Sequence, residues 1–347
     1  MLVDSPPEQR AETAPAPPTR RAIRVLGLFV SLAVLVAVGV ASIAIGAKGL
    51  SVGEVWHGLC HDTGTYGDVV VADRLSRTVL GLLAGAALGL SGAVLQALTR
   101  NPLADPGLLG INAGASAAVV TAITFFGVTS LSGYVWFAFV GAAAVGALVW
   151  FLGGSRGATP VRLALAGTAI SAALYGYLQA VMITDDQALN KMRFWTVGSL
   201  SSASNSTILQ VLPFLAVGSL LALSLARPLN AMEMGDDTAK ALGANLSRTR
   251  ALAMLAATVL CGAATAACGP IVFVGLMVPH VVRSFTGPDL RWILPYATVL
   301  SPVLLLGSDV IGRVVARPAE LQVGIVTALI GGPVFIFLVR RRRTAQL

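Results

Sequence analysis

The chain has 347 residues, is 56% hydrophobic and only 12% charged, and carries a formal charge of +8. A soluble domain of this size has roughly 25% charged residues, so polar surface cannot cover this chain and lipid must be most of its solvent. The positive charge accompanies no basic helix with interleaved aromatics, which argues against a nucleic-acid partner and for cationic flanks of membrane spans.

A polar, Pro-rich segment, 1–24, opens the chain. No charge follows between Arg24 and Lys48, long enough for a retained first span over 25–47 rather than a cleaved signal. Further apolar runs at 78–98, 105–127, 133–152, 161–183, 207–226, 250–268, 271–286, 292–309 and 321–339 predict an all-α, polytopic protein of about ten transmembrane helices, the eighth and ninth short. The transmembrane domain is thus 25–339, with a basic tail at 340–347 and no room for a soluble domain. With the amino terminus inside, 17 of the 24 Lys and Arg fall on the inner side, including Arg10, Arg100, Arg156, Arg248 and Arg250. That bias predicts a multi-pass protein of the cytoplasmic membrane with both termini cytoplasmic. Lys48, Arg74, Arg77 and Arg313 fall outside, against the trend.

In the first outer loop, "HGLCH" (His57 to His61) has the look of a metal cluster, but it lacks the first cysteine of a haem-attachment motif. An ordinary loop is the better reading, and no metal site is expected. Cys60, Cys261 and Cys268 give no disulfide framework; the latter two lie in apolar runs and suit packing. Arg74 and Arg77, three apart at the entrance to the second span, point to one side if helical. Their planar forks suit carboxylates. Alternatives are pairing of Arg74 with Asp68 or Asp73, snorkelling to headgroups, and, for Arg313, pairing with Asp309 four residues earlier. Gly81, Gly85 and Gly89 share a helix face that allows close approach of a neighbour, so the second span should sit centrally.

"TRNPLADPGLLG" (Thr99 to Gly110) is a sharp turn at the inner face that could narrow a pathway, with Asp105 before Pro106 suited to a helix start. In Leu229 to Arg250, Gly235 should end one short helix, Asp236 cap the next, Gly243 end that one, and Asn245 cap the following span. A plain connector needs only a few residues, so two polar surface helices here suggest a docked partner. His280, after Pro279, suits helix packing. The chain has no Gly-Lys dipeptide and hence no GxxxxGK[ST] phosphate loop; it is not expected to be an enzyme. No charge lies deep in a predicted span, which weighs against an ion-coupled secondary transporter.

The stretches "RLSRTVLGLLAGAALGLSGAVLQALTRNPLADPGLLGINAGAS", "LNAMEMGDDTAKALG", "GPIVFVGLMVPHVVR" and "AELQVGIVTALIGGPVFIFLVRR" resemble, in order, the iron-siderophore and cobalamin permease family, the membrane subunits of type II ABC importers. Within it the ferric enterobactin permease subunits look most similar. One departure is Ser76, where the family has proline between two arginines. The resemblance implies the type II importer permease fold, a second permease subunit and two cytoplasmic ABC ATPases. The ATPases hold ATP and Mg, and this chain has no cofactor of its own. It implies that the ATPases dock on Leu229, Asn230, Gly235, Asp236, Asp237, Ala241, Leu242 and Gly243. It implies an extracytoplasmic binding protein whose carboxylates meet Arg74, Arg77 and Arg313, a cytoplasmic gate at Asn101 and Leu103, and a pathway along Leu163 to Ala180. The implied cargo is a ferric siderophore, with cobalamin or haem as the alternative.

Overall fold

The computed structural model describes residues 20–46, 49–60, 65–128, 130–154 and 160–344. Most of the Pro-rich tail, with Arg10, lies outside these residues, as do Lys48, His61, Arg156 and the last three residues of the basic tail. Among the described residues the chain is helical throughout and has no strand. In chain order the helices are α1 (Arg20–Ala44), α2 (Val52–Cys60), α3 (Tyr66–Thr99), α4 (Ile111–Phe126), α5 (Leu131–Gly154), α6 (Pro160–Thr184) and α7 (Asp186–Trp195). They continue with α8 (Asn205–Ser224), α9 (Ala226–Glu233), α10 (Asp236–Ala241), α11 (Leu246–Cys268), α12 (Val274–Thr286), α13 (Leu290–Val315) and α14 (Val323–Thr344).

Each predicted apolar segment coincides with one helix: α1, α3, α4, α5, α6, α8, α11, α12, α13 and α14. Seven are long and apolar enough to cross a bilayer alone, while α4 and the apolar part of α14 are shorter and α12 has only 13 residues. Short polar side chains start many of the helices. Thr65 and Asp68 form a reciprocal capping box at α3, and Asp185, Ser204, Asn245 and Asp289 accept backbone N–H groups at the starts of α7, α8, α11 and α13. Each such cap contributes about 1 kcal/mol.

Three helices differ most in extent from the apolar runs; one is α4, which starts only at Ile111 and not at the predicted 105, because Pro106–Leu109 winds as a separate 3-10 turn closed by Gly110. α3 begins at Tyr66, twelve residues before the predicted 78, and α13 continues past 309 to Val315, so the ninth span, expected to be short, has 26 residues. Both extensions carry charges that interrupt hydropathy but find partners in the fold, Arg77 with Asp309 and Glu320 and Arg313 with Asp309. The expectation that no charge lies deep in a span is therefore corrected: Asp309 and Arg313 sit within α13 and are essentially inaccessible.

α3 and α11 form the centre; 78% of the spanning window of each is buried, against 11% for α1. The glycine face of α3 lies on α13 as anticipated. A Cβ on Gly85 would come 2.6 Å from the Pro302 Cα and one on Gly89 2.7 Å from the Ala297 carbonyl oxygen. Backbone cannot yield as a side-chain tip can, so Gly85→Val is expected to destabilise by about 1–3 kcal/mol. Gly307→Val, where a Cβ meets open space, should cost far less. Thermal denaturation of the two variants in detergent compares them, and equal losses would dismiss close packing as the reason for the glycine face.

Candidate functional site

Arg74, Arg77 and Arg313, expected on the outer side, gather about the first turns of α3, and Arg100 with the turn and Asp236, expected on the inner side, gather at its other end. At the first end, Arg74, Arg77 and Arg313 are all buried. Arg77 donates to Asp309 through Nε (3.1 Å) and Nη2 (2.7 Å), and to Glu320 through Nη1 (2.6 Å). Arg313 lies 3.0 Å from the other Asp309 oxygen. It also donates to the carbonyls of Ser42 (2.9 Å) and Ile45 (3.0 Å). Arg74 donates to the carbonyls of Ile43 (3.0 Å) and Ala44 (3.1 Å), and exposed Arg317 to that of Gly46 (2.6 Å).

A helix leaves its last carbonyls without intrahelical partners and carries partial negative charge there. Three arginines from α13, α3 and the segment after α13 supply those donors to the end of α1. The sequence alternative for Arg313, a pair with Asp309, is what the structure shows; Arg74 reaches the backbone carbonyls at the end of α1. The forks thus face inward rather than presenting an open surface. The outer segment around His57 was expected to be an ordinary loop and is instead helix α2, because Ser51 and Glu54 cap its start; His57 lies 3.2 Å from Asp68, and among the described residues no group of three metal-ligating side chains occurs.

At the other end α3 stops at Arg100, which closes it in a left-handed conformation (φ 49°). The turn follows at once: the Asn101 side chain accepts the Leu103 N–H (3.0 Å), and both residues are exposed. Asp105 caps a 3-10 turn over Pro106–Leu109, which packs against α6. The span expected to line a pathway is α6, whose exposed residues include Thr168, Ala172, Ala173, Gly176, Gln179 and Ala180.

The two surface helices foreseen between the sixth and seventh spans are α9 and α10. Gly235 (φ 110°) separates them, Gly243 (φ 80°) ends the second, and Asn245 caps α11 through the Arg248 N–H. One expectation is corrected. Gly235, not Asp236, is the N-cap of α10, because the Asp236 carboxylate is turned to two arginines, pairing with Arg100 and, at 2.6 Å, with Arg250. Desolvation pushes this carboxyl upward, but the hydrogen bonds from Arg100 and Arg250 outweigh it and hold it below the usual carboxylate range.

Of the remaining residues expected to dock a partner, Leu229 is fully buried. Asn230 braces the start of α13, donating to Asp289 (2.7 Å) and accepting the Leu290 N–H (2.9 Å). Asp237, Ala241 and Leu242 are exposed, and Met234 joins them as an exposed apolar side chain. Sequence reasoning put Arg100 and Arg250 on the inner side but missed them as the partners of Asp236, and it did not single out Met234. It also missed the Arg283–Glu233 pair (2.8 Å) that ties α12 to α9. A polar pocket of about 290 Å³ lies between the turn and α9, lined by Gln96, Arg100, Pro102, Glu233 and Arg283.

A bundle of this kind, with a gathered turn at one mouth and short polar helices beside it, is that of a polytopic membrane transport subunit. The chain belongs to the FecCD transport family, whose model matches residues 34–341. It is 46% identical over 93% of its length to the ferric enterobactin transport system permease protein of Escherichia coli (strain K12), covering 96% of that protein. It is 38% identical to the hemin transport system permease protein of Yersinia pestis, over 92% of this chain and 96% of the relative. A solved metal-chelate type ABC transporter in an inward-facing conformation superposes with a TM-score of 0.81 at 29% identity, over 91% of this chain and 99% of the other. The family consists of ABC transporter permease subunits, which are not enzymes.

Proposed function

We propose that this chain is the permease subunit of an ATP-driven importer of the cytoplasmic membrane, and that its cargo is a ferric siderophore. It would pair with a second permease, a copy or a sibling, and take two ABC ATPases at α9 and α10. ATP and Mg belong to those ATPases. Both termini would be cytoplasmic, and an extracytoplasmic binding protein would deliver the cargo at the arginine end. The observation that carries the reading is the 46% identity, over nearly the whole of both chains, to a permease named for ferric enterobactin. With their forks turned inward, Arg74, Arg77 and Arg313 would serve docking by fixing the shape of the outer rim, while Arg317 stands exposed beside them. Asn101 and Leu103 would form the inner gate, which small pathway residues are too short to seal.

Uptake of labelled ferric siderophore, hemin and cobalamin by cells lacking the chain tests the cargo. Loss of siderophore uptake alone is expected. Loss of hemin uptake alone would reassign the cargo in favour of the second reading, which the hemin relative supports. ATPase docking has its own test. Gly243 sits at positive φ with open space around a Cβ, so Gly243→Val strains only the local backbone. Normal membrane insertion with reduced ATPase co-purification is expected; full co-purification and transport would make α10 a mere connector.

A further inference from the structure

α11 is among the most buried spans, yet it is uncovered near its inner end, where Ala251 and Leu255 are exposed. There a groove of about 240 Å³ separates it from α5. On the α5 side the lining runs through Phe139, Ala143, Ala147 and Trp150, one residue per helical turn. At the outer end of the lining, the Phe139 ring lies 4.3 Å from that of Phe214 of α8, tilted at 45° to it. The alanines make the trough, because longer side chains would fill it.

From Phe139 to Trp150 the groove extends about 16 Å along α5, about half of a ~30 Å hydrocarbon core. That is the depth of one leaflet. Trp150, at the inner end, is a residue type that favours the membrane–water interface. Beyond it stands Arg248, three residues before Ala251 and seven before Leu255, hence on the same stripe of α11. Arg248 is exposed, and among the described residues it enters no ion pair. An apolar trough in hydrocarbon has no hydrophobic drive of its own, since lipid tails are as apolar as the protein. Selective occupancy therefore has to come from the cation at its mouth.

We propose that the groove between α5 and α11 is a binding site for one acyl chain of an anionic phospholipid of the inner leaflet, with the lipid phosphate met by Arg248. The chain lies against the alanines, and the headgroup reaches the guanidinium at the level where Trp150 marks the interface.

The test is native mass spectrometry of the purified, delipidated full chain titrated with phosphatidylglycerol or phosphatidylethanolamine. The wild type should retain one phosphatidylglycerol about fivefold more tightly than phosphatidylethanolamine, the scale of one cation near an anionic surface. Arg248→Gln, a substitution of an exposed side chain, should abolish the preference while leaving thermal stability unchanged. Ala147→Phe, which fills the trough, should abolish retention of both lipids. Equal retention of the two lipids by the wild type, with an unchanged count in Ala147→Phe, would mean surrounding lipid only and overturn the proposal. A shift of Ala147→Phe from paired to single chains would overturn it in favour of an interface between copies.

Discussion

Asp309→Ala is expected to destabilise the folded protein by about 3–5 kcal/mol, the cost of leaving buried charge without its partner. Its carboxylate is shared by Arg77 on one oxygen and Arg313 on the other, so its removal leaves buried Arg313 with only uncharged acceptors and Arg77 with only the part-exposed Glu320. Arg77→Ala should cost less. It leaves Asp309 beside Arg313 and releases Glu320, which is 36% exposed, to water. Arg77→Lys should recover little, because one ammonium cannot reproduce the fork that reaches both carboxylates. Arg74→Ala should cost least, since Arg74 lends hydrogen bonds to the end of α1 rather than neutralising Asp309. The order Asp309, Arg77, Arg74 in melting temperature of detergent-purified variants checks the argument, and a mild Asp309→Ala would sink it. Arg74→Glu with Arg77→Glu, which on a surface docking patch would spare assembly, is expected to prevent it by placing two more carboxylates beside Asp309 and Glu320.

What the sequence disclosed and withheld follows from the range of the forces involved. Hydropathy is local, so ten segments could be placed and the glycine face of α3 assigned to close packing. Capping is local too, and Asn245, Gly235 and Gly243 stand where helix-end chemistry puts them. The network at the arginine end is not local. Arg77 meets Asp309 and Glu320 across 232 and 243 residues of chain, and no window of sequence shows that. Each charge taken alone broke an apolar run, which is why α3 and α13 were read too short. Asp236 misled for the same reason: a carboxylate after glycine at a helix start has the look of a cap until Arg100, 136 residues earlier, is seen to claim it. The resemblance placed arginines and gate at two ends of the molecule; only the fold shows which way their side chains turn.

Asp236→Ala is expected to leave insertion and melting temperature nearly unchanged while lowering transport about tenfold, the rate equivalent of ~1.4 kcal/mol. The stability side follows from exposure. Asp236 and Arg100 are each more than a third exposed, and such ion pairs contribute about 0–1 kcal/mol. The functional side follows from placement. Arg100 holds an uncommon left-handed conformation immediately before Asn101, so its side chain joins the turn at the mouth of the bundle to α10, the helix proposed to receive the ATPase. Arg250 fixes the second Asp236 oxygen to the start of α11, which makes Asp236 a tie between three elements. Because the folded-state value is depressed, the pair's contribution is complete above the ordinary carboxylate value of about 3.9 and is lost only as pH falls through the lower folded value. Mild acidification to pH 5 should therefore not mimic the substitution. A double-mutant cycle with Arg100→Ala separates a tie from two independent effects. Transport per ATP hydrolysed, measured in proteoliposomes with the ATPase present, should fall as far in either single variant as in the double. Additive losses, or loss of ATPase binding in Asp236→Ala, would show that Asp236 acts on docking and not on the turn.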